Sequence, residues 1–200
     1  RLATRRTMSV AQQLYEGIAL GSDGSTGLIT YMRTDSTNVS ETAVQEARSY
    51  IRATYGVEYL PKQPRVFNKK VKRAQEAHEA IRPTSVMLTP DKAKPFLDRD
   101  QSRLYELIWR RFVASQMADA KMNRTRVQID ATTGEGMESY LVTTTGTVLL
   151  FSGFRELYFE DRDETTPEQE ETPPLPILAT GQLLRKSSVG SAQHFTCFDS

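Results

Sequence analysis

The sequence is poor in the residues that build disulfide scaffolds and most metal centres. Its 200 residues include one cysteine, Cys197, and two histidines, His78 and His194. A single cysteine forms neither an internal disulfide nor a cysteine zinc site, which excludes the secreted disulfide-rich classes and favours a reducing compartment. Two histidines also argue against a histidine-rich metal centre. We therefore expect no metal in this chain.

Long apolar runs are missing as well. No stretch of eighteen apolar residues is present and no signal-peptide pattern opens the chain, so we expect a soluble protein without membrane contact. With 38% hydrophobic residues, the chain can bury the core of one large domain or two small ones. It begins at Arg1 without a methionine and soon enters a helical pattern, so we expect a piece of a longer protein.

The net charge of +1 conceals an asymmetry along the chain. Residues 1–120 hold 19 Lys and Arg against 13 Asp and Glu, a balance of +6, and residues 121–200 hold 7 against 12, a balance of −5. This division predicts that the first part faces a polyanion and the second does not. Residues 61–73 form the most basic stretch, with six cations and no acid: Lys62, Arg65, Lys69, Lys70, Lys72 and Arg73. Such a run is either a solvated loop or a phosphate-binding segment that acts by counterion release.

Helical periodicity dominates residues 1–120. Apolar residues recur every three or four positions in three segments, and a Thr-Pro pair indicates one more helix start. One apolar, β-branched run is typical of a strand. The predicted elements are helices at 7–16, from Ser40 to Gly56, from Thr89-Pro90, and at 100–117, with a strand at 28–33.

Beyond residue 121 the period changes to two, which predicts strands. We expect strands around 127–131, at 140–144, 147–151, 156–159, 175–178 and 182–186, a turn at 134–136, and a solvated acidic loop at 160–174. The fold class is therefore α+β, with a helical domain at 1–120 and a β-rich domain at 121–200.

The segment GLITYMRTDS, residues 27–36, places Tyr31, Arg33 and Asp35 at spacings of two. If the strand persists, all three project from one face. A tyrosine on an apolar strand is most often a half-buried core residue. The neighbouring arginine favours another interpretation, because a guanidinium binds a phosphodiester in bidentate fashion and offsets charge that develops when a phenol attacks it.

The segment AQEAHEAIRPT, residues 74–84, is the second candidate. On a helix, His78 and Arg82 would lie four residues apart on one face. A zinc H-E-x-x-H site is excluded because Arg82 stands where the second histidine belongs. On these grounds alone, a hydrogen-bonded surface histidine is the favoured interpretation of His78.

Three segments carry a family resemblance: GLITYMRTDST at 27–37, AQEAHEAIRPT at 74–84 and RLYELIWRRFVASQM at 103–117. They resemble the type IA DNA topoisomerases, specifically bacterial topoisomerase I, and HFT at 194–196 is a weaker match. The resemblance implies that Tyr31 attacks single-stranded DNA and becomes joined to a 5′ phosphate, that Arg33 stabilises that phosphate, and that Asp35 and His78 are active-site residues. The resemblance and the basic run together suggest six DNA-binding residues: Glu79, Arg82, Lys69, Lys70, Lys72 and Arg73.

The resemblance also implies an architecture and partners. Residues 1–120 would form a winged-helix-like tyrosine domain and residues 121–200 part of a β-rich arch. The family's magnesium-binding Toprim domain has no counterpart in these 200 residues, so we expect Mg²⁺ only in the complete enzyme and no activity from this chain alone. Its partners would be single-stranded DNA and the remaining domains, in the cytoplasm at the nucleoid. The sequence departs from the family after residue 196, where it reads CFDS.

The sequence alone is also consistent with two other functions. The chain could be a noncatalytic single-stranded nucleic-acid-binding module in which the basic run binds phosphate and Tyr31 only packs. It could also be a purely structural arch piece, and the charge division argues only softly against that.

Overall fold

The computed structural model describes residues 2–21, 24–67, 79–132, 139–158, 175–176 and 178–184. Helices dominate as far as residue 115 and an antiparallel ribbon follows, so the chain is of mixed helix and sheet class. The elements are α1 Thr4–Glu16, β1 Ile18–Ala19, β2 Ser25–Thr26, α2 Glu41–Thr54, α3 Pro90–Ala93, α4 Arg99–Ser115, β3 Lys121–Thr132 and β4 Ser139–Phe151, with 3-10 turns at Val57–Tyr59, Lys94–Phe96 and Gly153–Glu156.

The helices begin and end where local chemistry dictates. The Ser40 hydroxyl accepts a hydrogen bond from the Ala43 amide and caps α2. At α4, Asp98 and Gln101 form a reciprocal capping box. Gly17, with φ of 125°, ends α1 in a backbone conformation that favours glycine. The four predicted helices are thus confirmed, with shifts of a few residues at their ends.

The core lies between α1, α2 and α4. One face of each helix is buried, and α4 contributes the large side chains Tyr105, Trp109 and Phe112. The Trp109 indole donates to the Val86 carbonyl at 3.1 Å, and the Tyr105 hydroxyl donates to the Leu88 carbonyl at 2.7 Å. Burial, together with the charge of Glu46, raises the pKa of the Tyr105 phenol. These bonds attach the irregular segment 85–89 to α4.

The predicted strand at 28–33 is wrong as a continuous element. Ile29 makes an isolated bridge to Pro83, and residues 31–33 pair with no strand among the described residues. The Thr30 and Thr84 amides donate across this bridge to the Arg82 and Leu28 carbonyls, but the Arg82 amide donates to the Thr30 hydroxyl instead of a backbone carbonyl, so the pairing ends there. The segment therefore starts extended, and a bend follows at Thr34 and Asp35.

The ribbon of β3 and β4 is longer and simpler than predicted. The strand around 127–131 is confirmed, but the two strands expected at 140–144 and 147–151 are one, because Ser139–Phe151 pairs with Lys121–Thr132 along its length, with one register shift between Lys121 and Met122. Residues 156–158 form no strand, and neither do the described parts of 175–178 and 182–186. The turn at 134–136 and the acidic loop at 160–174 lie outside the described residues.

The base of the ribbon is attached to the helical part. The Ala118 amide donates to the Tyr59 carbonyl at 2.7 Å, the Phe154 amide donates to the Ala118 carbonyl at 2.9 Å, and the Tyr59 and Phe151 rings lie 4.9 Å apart. Secondary structure changes type at residue 121, and the domain boundary near 120 stays a prediction. None of the helices in the described part of the chain is long and apolar enough to cross a membrane.

Candidate active site

Tyr31 directly follows a short, firmly anchored piece of backbone. The Leu28 amide donates to the Leu14 carbonyl at 2.7 Å, and the Thr30 amide donates to the Arg82 carbonyl at 2.9 Å. Leu28 and Ile29 are 0% and 1% exposed, whereas Tyr31 is 53% exposed. The chain thus leaves the core at Tyr31 and presents its phenol to solvent. The half-buried core role that a tyrosine on an apolar strand suggests is not what the structure shows.

The Tyr31 ring is supported on one side by the ring of Tyr15. Their centroids lie 5.2 Å apart, with an angle of 60° between the planes. Tyr15 belongs to the last turn of α1, and a Cβ on Gly27 would meet its carbonyl oxygen at 2.7 Å. Only glycine at position 27 allows this close approach without a shift. Sequence reasoning missed this role of Tyr15, because its spacing predicts only helix.

Arg33 and Asp35 follow Tyr31 in a turn. The Arg33 amide donates to the Tyr31 carbonyl at 2.9 Å, and both Arg33 and Asp35 are exposed. The expected alternation of Tyr31, Arg33 and Asp35 on one strand face is therefore wrong, because the strand does not persist. The three residues are still close along the chain, on one exposed loop beside the core.

Glu79 and Arg82 form an ion pair beneath this loop. The Arg82 Nε donates to Glu79 Oε1 at 2.7 Å, and Arg82 Nη1 donates to the Pro83 carbonyl at 2.8 Å. The same Glu79 oxygen accepts from the Ser40 amide at 3.0 Å. Partial burial raises the pKa of Glu79, but the bonds from Arg82 and Ser40 outweigh it and hold that pKa below its ordinary value. The pair thus connects residues 79–83 to the start of α2.

Thr30 joins the same region from the other side. Its hydroxyl donates to the Ala80 carbonyl at 2.7 Å and accepts from the Arg82 amide at 2.9 Å. Asn38 makes a parallel bridge to Glu79. The two motifs, about fifty residues apart, are thus brought together by backbone and hydroxyl bonds. Sequence reasoning missed Thr30 and Asn38, because neither residue type in such a run signals a long-range contact.

The Arg82 side chain is 12% exposed and that of Glu79 is 32% exposed. In this conformation their charged groups are engaged with each other, and their role in DNA binding stays a prediction. Five predicted site residues lie outside the described residues: His78, Lys69, Lys70, Lys72 and Arg73.

The described part of the basic run does not lack an acid partner. Arg65 pairs with Asp119 at 2.6 Å, which corrects the expectation that this run has none nearby. A groove of about 590 Å³ lies between this run and the start of α2. Phe67, 45% exposed, lines it beside Asn38, and the Thr37 hydroxyl donates to the Phe67 carbonyl.

A metal site is not apparent in this part of the molecule. Among the residues that the structure describes, no group of three or more His, Cys, Asp or Glu side chains could hold a metal ion. The exposed loop at residues 31–37 carries one carboxylate, that of Asp35.

The comparisons with known proteins identify the family of the chain. A family model described as DNA topoisomerase matches residues 1–199. The chain is 47% identical over 194 residues to proteins named DNA topoisomerase 1 from two strains of Xylella fastidiosa, covering 96% of this chain and 23% of each relative. The structure of full-length topoisomerase I from Thermotoga maritima resembles it with a TM-score of 0.66 and 39% identity, over 85% of this chain and 26% of that one.

An exposed tyrosine on the family motif and matches over nearly the whole chain define its class. The chain belongs to the DNA topoisomerase family, as a relative of the bacterial type I enzymes named above. It spans about a quarter of the length of the relatives that it matches.

Proposed function

We propose that this chain carries the nucleophile of a type IA DNA topoisomerase and that the complete enzyme cleaves and rejoins one DNA strand at Tyr31. The observation that carries the proposal is the 53% exposed phenol of Tyr31, held directly after the buried Leu28 and Ile29. A nucleophile must be accessible and yet confined, and both conditions are met at this position.

The proposed reaction is a reversible transfer of one phosphate bond. The Tyr31 oxygen bonds to phosphorus and loses its proton, while the bond from phosphorus to the 3′ oxygen breaks and that oxygen takes up a proton. In the reverse step the 3′ hydroxyl attacks the phosphotyrosine and restores the strand. The bond energy is kept in the tyrosyl ester, so rejoining needs no nucleotide.

Arg33 is the proposed stabiliser of the attacked phosphate. It is two residues from Tyr31, and the bond between their backbones at 2.9 Å limits how far the two side chains can separate. A guanidinium binds two phosphate oxygens at once and offsets their growing charge. We propose Asp35 and His78 as further active-site residues on the strength of the family motif.

The groove between α2 and residues 63–67 offers a path for an unpaired strand. It is lined by the exposed Phe67 ring, by amide side chains and by one cation of the basic run, Arg65. Single strands are bound by such pairings of aromatic rings and positive charge. This supports single-stranded DNA as the substrate.

The remaining parts of the proposal concern the complete enzyme. We propose that residues 1–120 act as the winged-helix-like tyrosine domain and residues 121–200 as part of the arch, and that the enzyme works in the cytoplasm at the nucleoid. Mg²⁺, bound by parts of the enzyme outside these 200 residues, would supply positive charge near the DNA phosphates. The rival function is a noncatalytic single-strand-binding module.

The decisive experiment compares Tyr31→Phe with Tyr15→Phe in the complete enzyme. Each variant removes one hydroxyl from the same pair of packed rings. We expect Tyr31→Phe to bind a single-stranded oligonucleotide but to form no covalent adduct after denaturation, and Tyr15→Phe to keep the adduct. An adduct in Tyr31→Phe, or one mapped by peptide mass spectrometry to Tyr15, would contradict the assignment. Binding without any adduct in the unaltered enzyme would favour the rival.

A further inference from the structure

The two faces of the β3–β4 ribbon have different chemistry. Side chains alternate along each strand, so residues opposite one another in the register share a face. One face carries Ile129 opposite Val142 and Val127 opposite Thr144, and it is largely apolar. The other face carries Arg124 opposite Thr147 and Arg126 opposite Thr145. We call this second face, with Gln128 and Thr143 at its next pair, the cationic face.

The cationic face presents unopposed positive charge. Arg124 and Arg126 are both exposed, and neither forms an ion pair with any residue in the described ranges. The first acid along this face is Asp130, opposite Leu141. At the base of the ribbon, Met122 on the same face accepts a hydrogen bond from the Arg155 guanidinium at 3.7 Å.

Leu175 packs on one part of the apolar face, although Tyr140 and Val142 on the same face remain exposed. Gly146, opposite Thr125, belongs to the apolar face, and a Cβ there would meet the Leu175 side chain at 2.7 Å. Leu175 therefore lies over the apolar face. Within the described residues, the arginines of the cationic face have no such cover and are exposed.

The charges within residues 121–200 are unevenly distributed. The net charge of the whole segment therefore does not reveal the cationic face. The overall balance is −5, but seven of the twelve acids fall within residues 160–171. The two strands themselves carry three cations, Lys121, Arg124 and Arg126, against the single acid Asp130. The expectation that the second part does not face a polyanion thus overlooks a local surface of the opposite sign.

We propose that the cationic face of the ribbon binds the phosphate backbone of double-stranded DNA, as a contact separate from the cleavage site. Arginines at alternate strand positions lie about 6.8 Å apart, which lets each reach a different phosphate. The Thr145 hydroxyl opposite Arg126 adds a further donor. Of the two aromatic side chains on these strands, Tyr140 lies opposite Ala131 on the apolar face and Phe151 packs against Tyr59 at the base of the ribbon. A surface with cations and no rings suits the backbone of a stacked duplex better than an unstacked strand.

The test is a double variant, Arg124→Gln with Arg126→Gln, in the complete enzyme. Its matched control is Arg99→Gln with Arg103→Gln, which removes the same charge from exposed positions of α4. Binding to a labelled duplex of about two turns and to a labelled oligothymidine is followed by fluorescence anisotropy across a salt series. A third variant, Asp130→Asn, removes the acid at the far end of the face.

Losing two phosphate contacts should reduce the slope of log K against log salt concentration for duplex binding by about 1.8. Duplex binding near 0.15 M salt should become about 30-fold weaker. We expect the control pair to change neither the salt slope nor the affinity of duplex binding, and we expect the double variant to bind oligothymidine as the unaltered enzyme does. Asp130→Asn should tighten duplex binding. Because a misfolded protein would not bind DNA more tightly, misfolding cannot account for that gain. Unchanged duplex binding in the double variant, an equal loss in the control, or an equal or larger loss for oligothymidine would overturn the proposal.

Discussion

Replacing Arg82 by methionine tests whether the Glu79–Arg82 pair is a structural cross-link. The substitution removes the guanidinium but keeps an apolar stem of similar length. Glu79 would then keep only the bond from the Ser40 amide at 3.0 Å, and the Pro83 carbonyl would lose its donor at 2.8 Å. Since these contacts join residues 79–83 to the start of α2, the loss should appear as a lower free energy of unfolding.

The magnitude follows from the two bonds that are lost. The Arg82 guanidinium donates both bonds, and a hydrogen bond that involves a charged group contributes about 1.5–3 kcal/mol. Because the Glu79 side chain is 32% exposed, water replaces part of the contribution of the bond to Glu79. We therefore expect a loss of about 2–4 kcal/mol in all, which lowers the melting temperature by roughly 5–15 °C for a chain of this size.

The assay is thermal unfolding by circular dichroism, with Arg110→Met as the matched control. Arg110 pairs with Glu106 at 2.6 Å on the surface of α4, with side chains 50% and 40% exposed. Exposed pairs of this kind contribute about 0–1 kcal/mol, so the control should melt within about 3 °C of the unaltered chain.

Lowering the pH provides a second readout. The pKa of Glu79 is held below its ordinary value, so its stabilisation is present above the unfolded pKa and is lost as the pH falls through the folded one. The difference in the free energy of unfolding between Arg82→Met and the unaltered chain should therefore narrow as the pH falls through the folded pKa of Glu79. Equal melting temperatures for both variants, or a gap that widens in acid, would refute the reasoning.

Further outcomes follow from other contacts. Gly27→Ala should lower the melting temperature, because its Cβ would meet the Tyr15 carbonyl at 2.7 Å. Ser40→Ala should remove the N-terminal cap of α2 and lower the free energy of unfolding by about 1 kcal/mol, as measured by urea unfolding. Arg33→Lys in the complete enzyme should slow cleavage at all pH values tested, since an ammonium cannot reproduce the planar fork, and a rate equal to that of the unaltered enzyme would count against its role. The 200-residue chain alone should fail to relax supercoiled DNA with Mg²⁺, and robust relaxation would disprove its dependence on further domains.

Local patterns predicted the elements that depend on local bonds. The Ser40 cap, the Thr89-Pro90 helix start and the four-residue spacing along α4 were all read correctly, because capping and helix burial involve residues within one or two turns. The change of period at residue 121 likewise indicated β3.

Strand predictions failed where the partner strand decided the outcome. Residues 28–33 have the composition of a strand, yet they make a single bridge to residues 82–84, because the Arg82 amide donates to the Thr30 hydroxyl instead of continuing the ladder. Conversely, β4 runs through Gly146 without a break because β3 pairs along its whole length. Neither result can be derived from the propensity of one segment alone.

The sequence by itself determined the helices, the family and the identity of Tyr31 as a candidate nucleophile. Motifs and short-range periodicity depend only on residues that are close together in the sequence, so they can be recognised without the fold. Only the tertiary structure decided that Tyr31 emerges beside Tyr15, that Glu79 and Arg82 bind each other beneath it, and that the arginines of β3 share one open face. These features depend on contacts between distant residues. Their geometry is set by packing and strand register, which spacing along the chain does not encode.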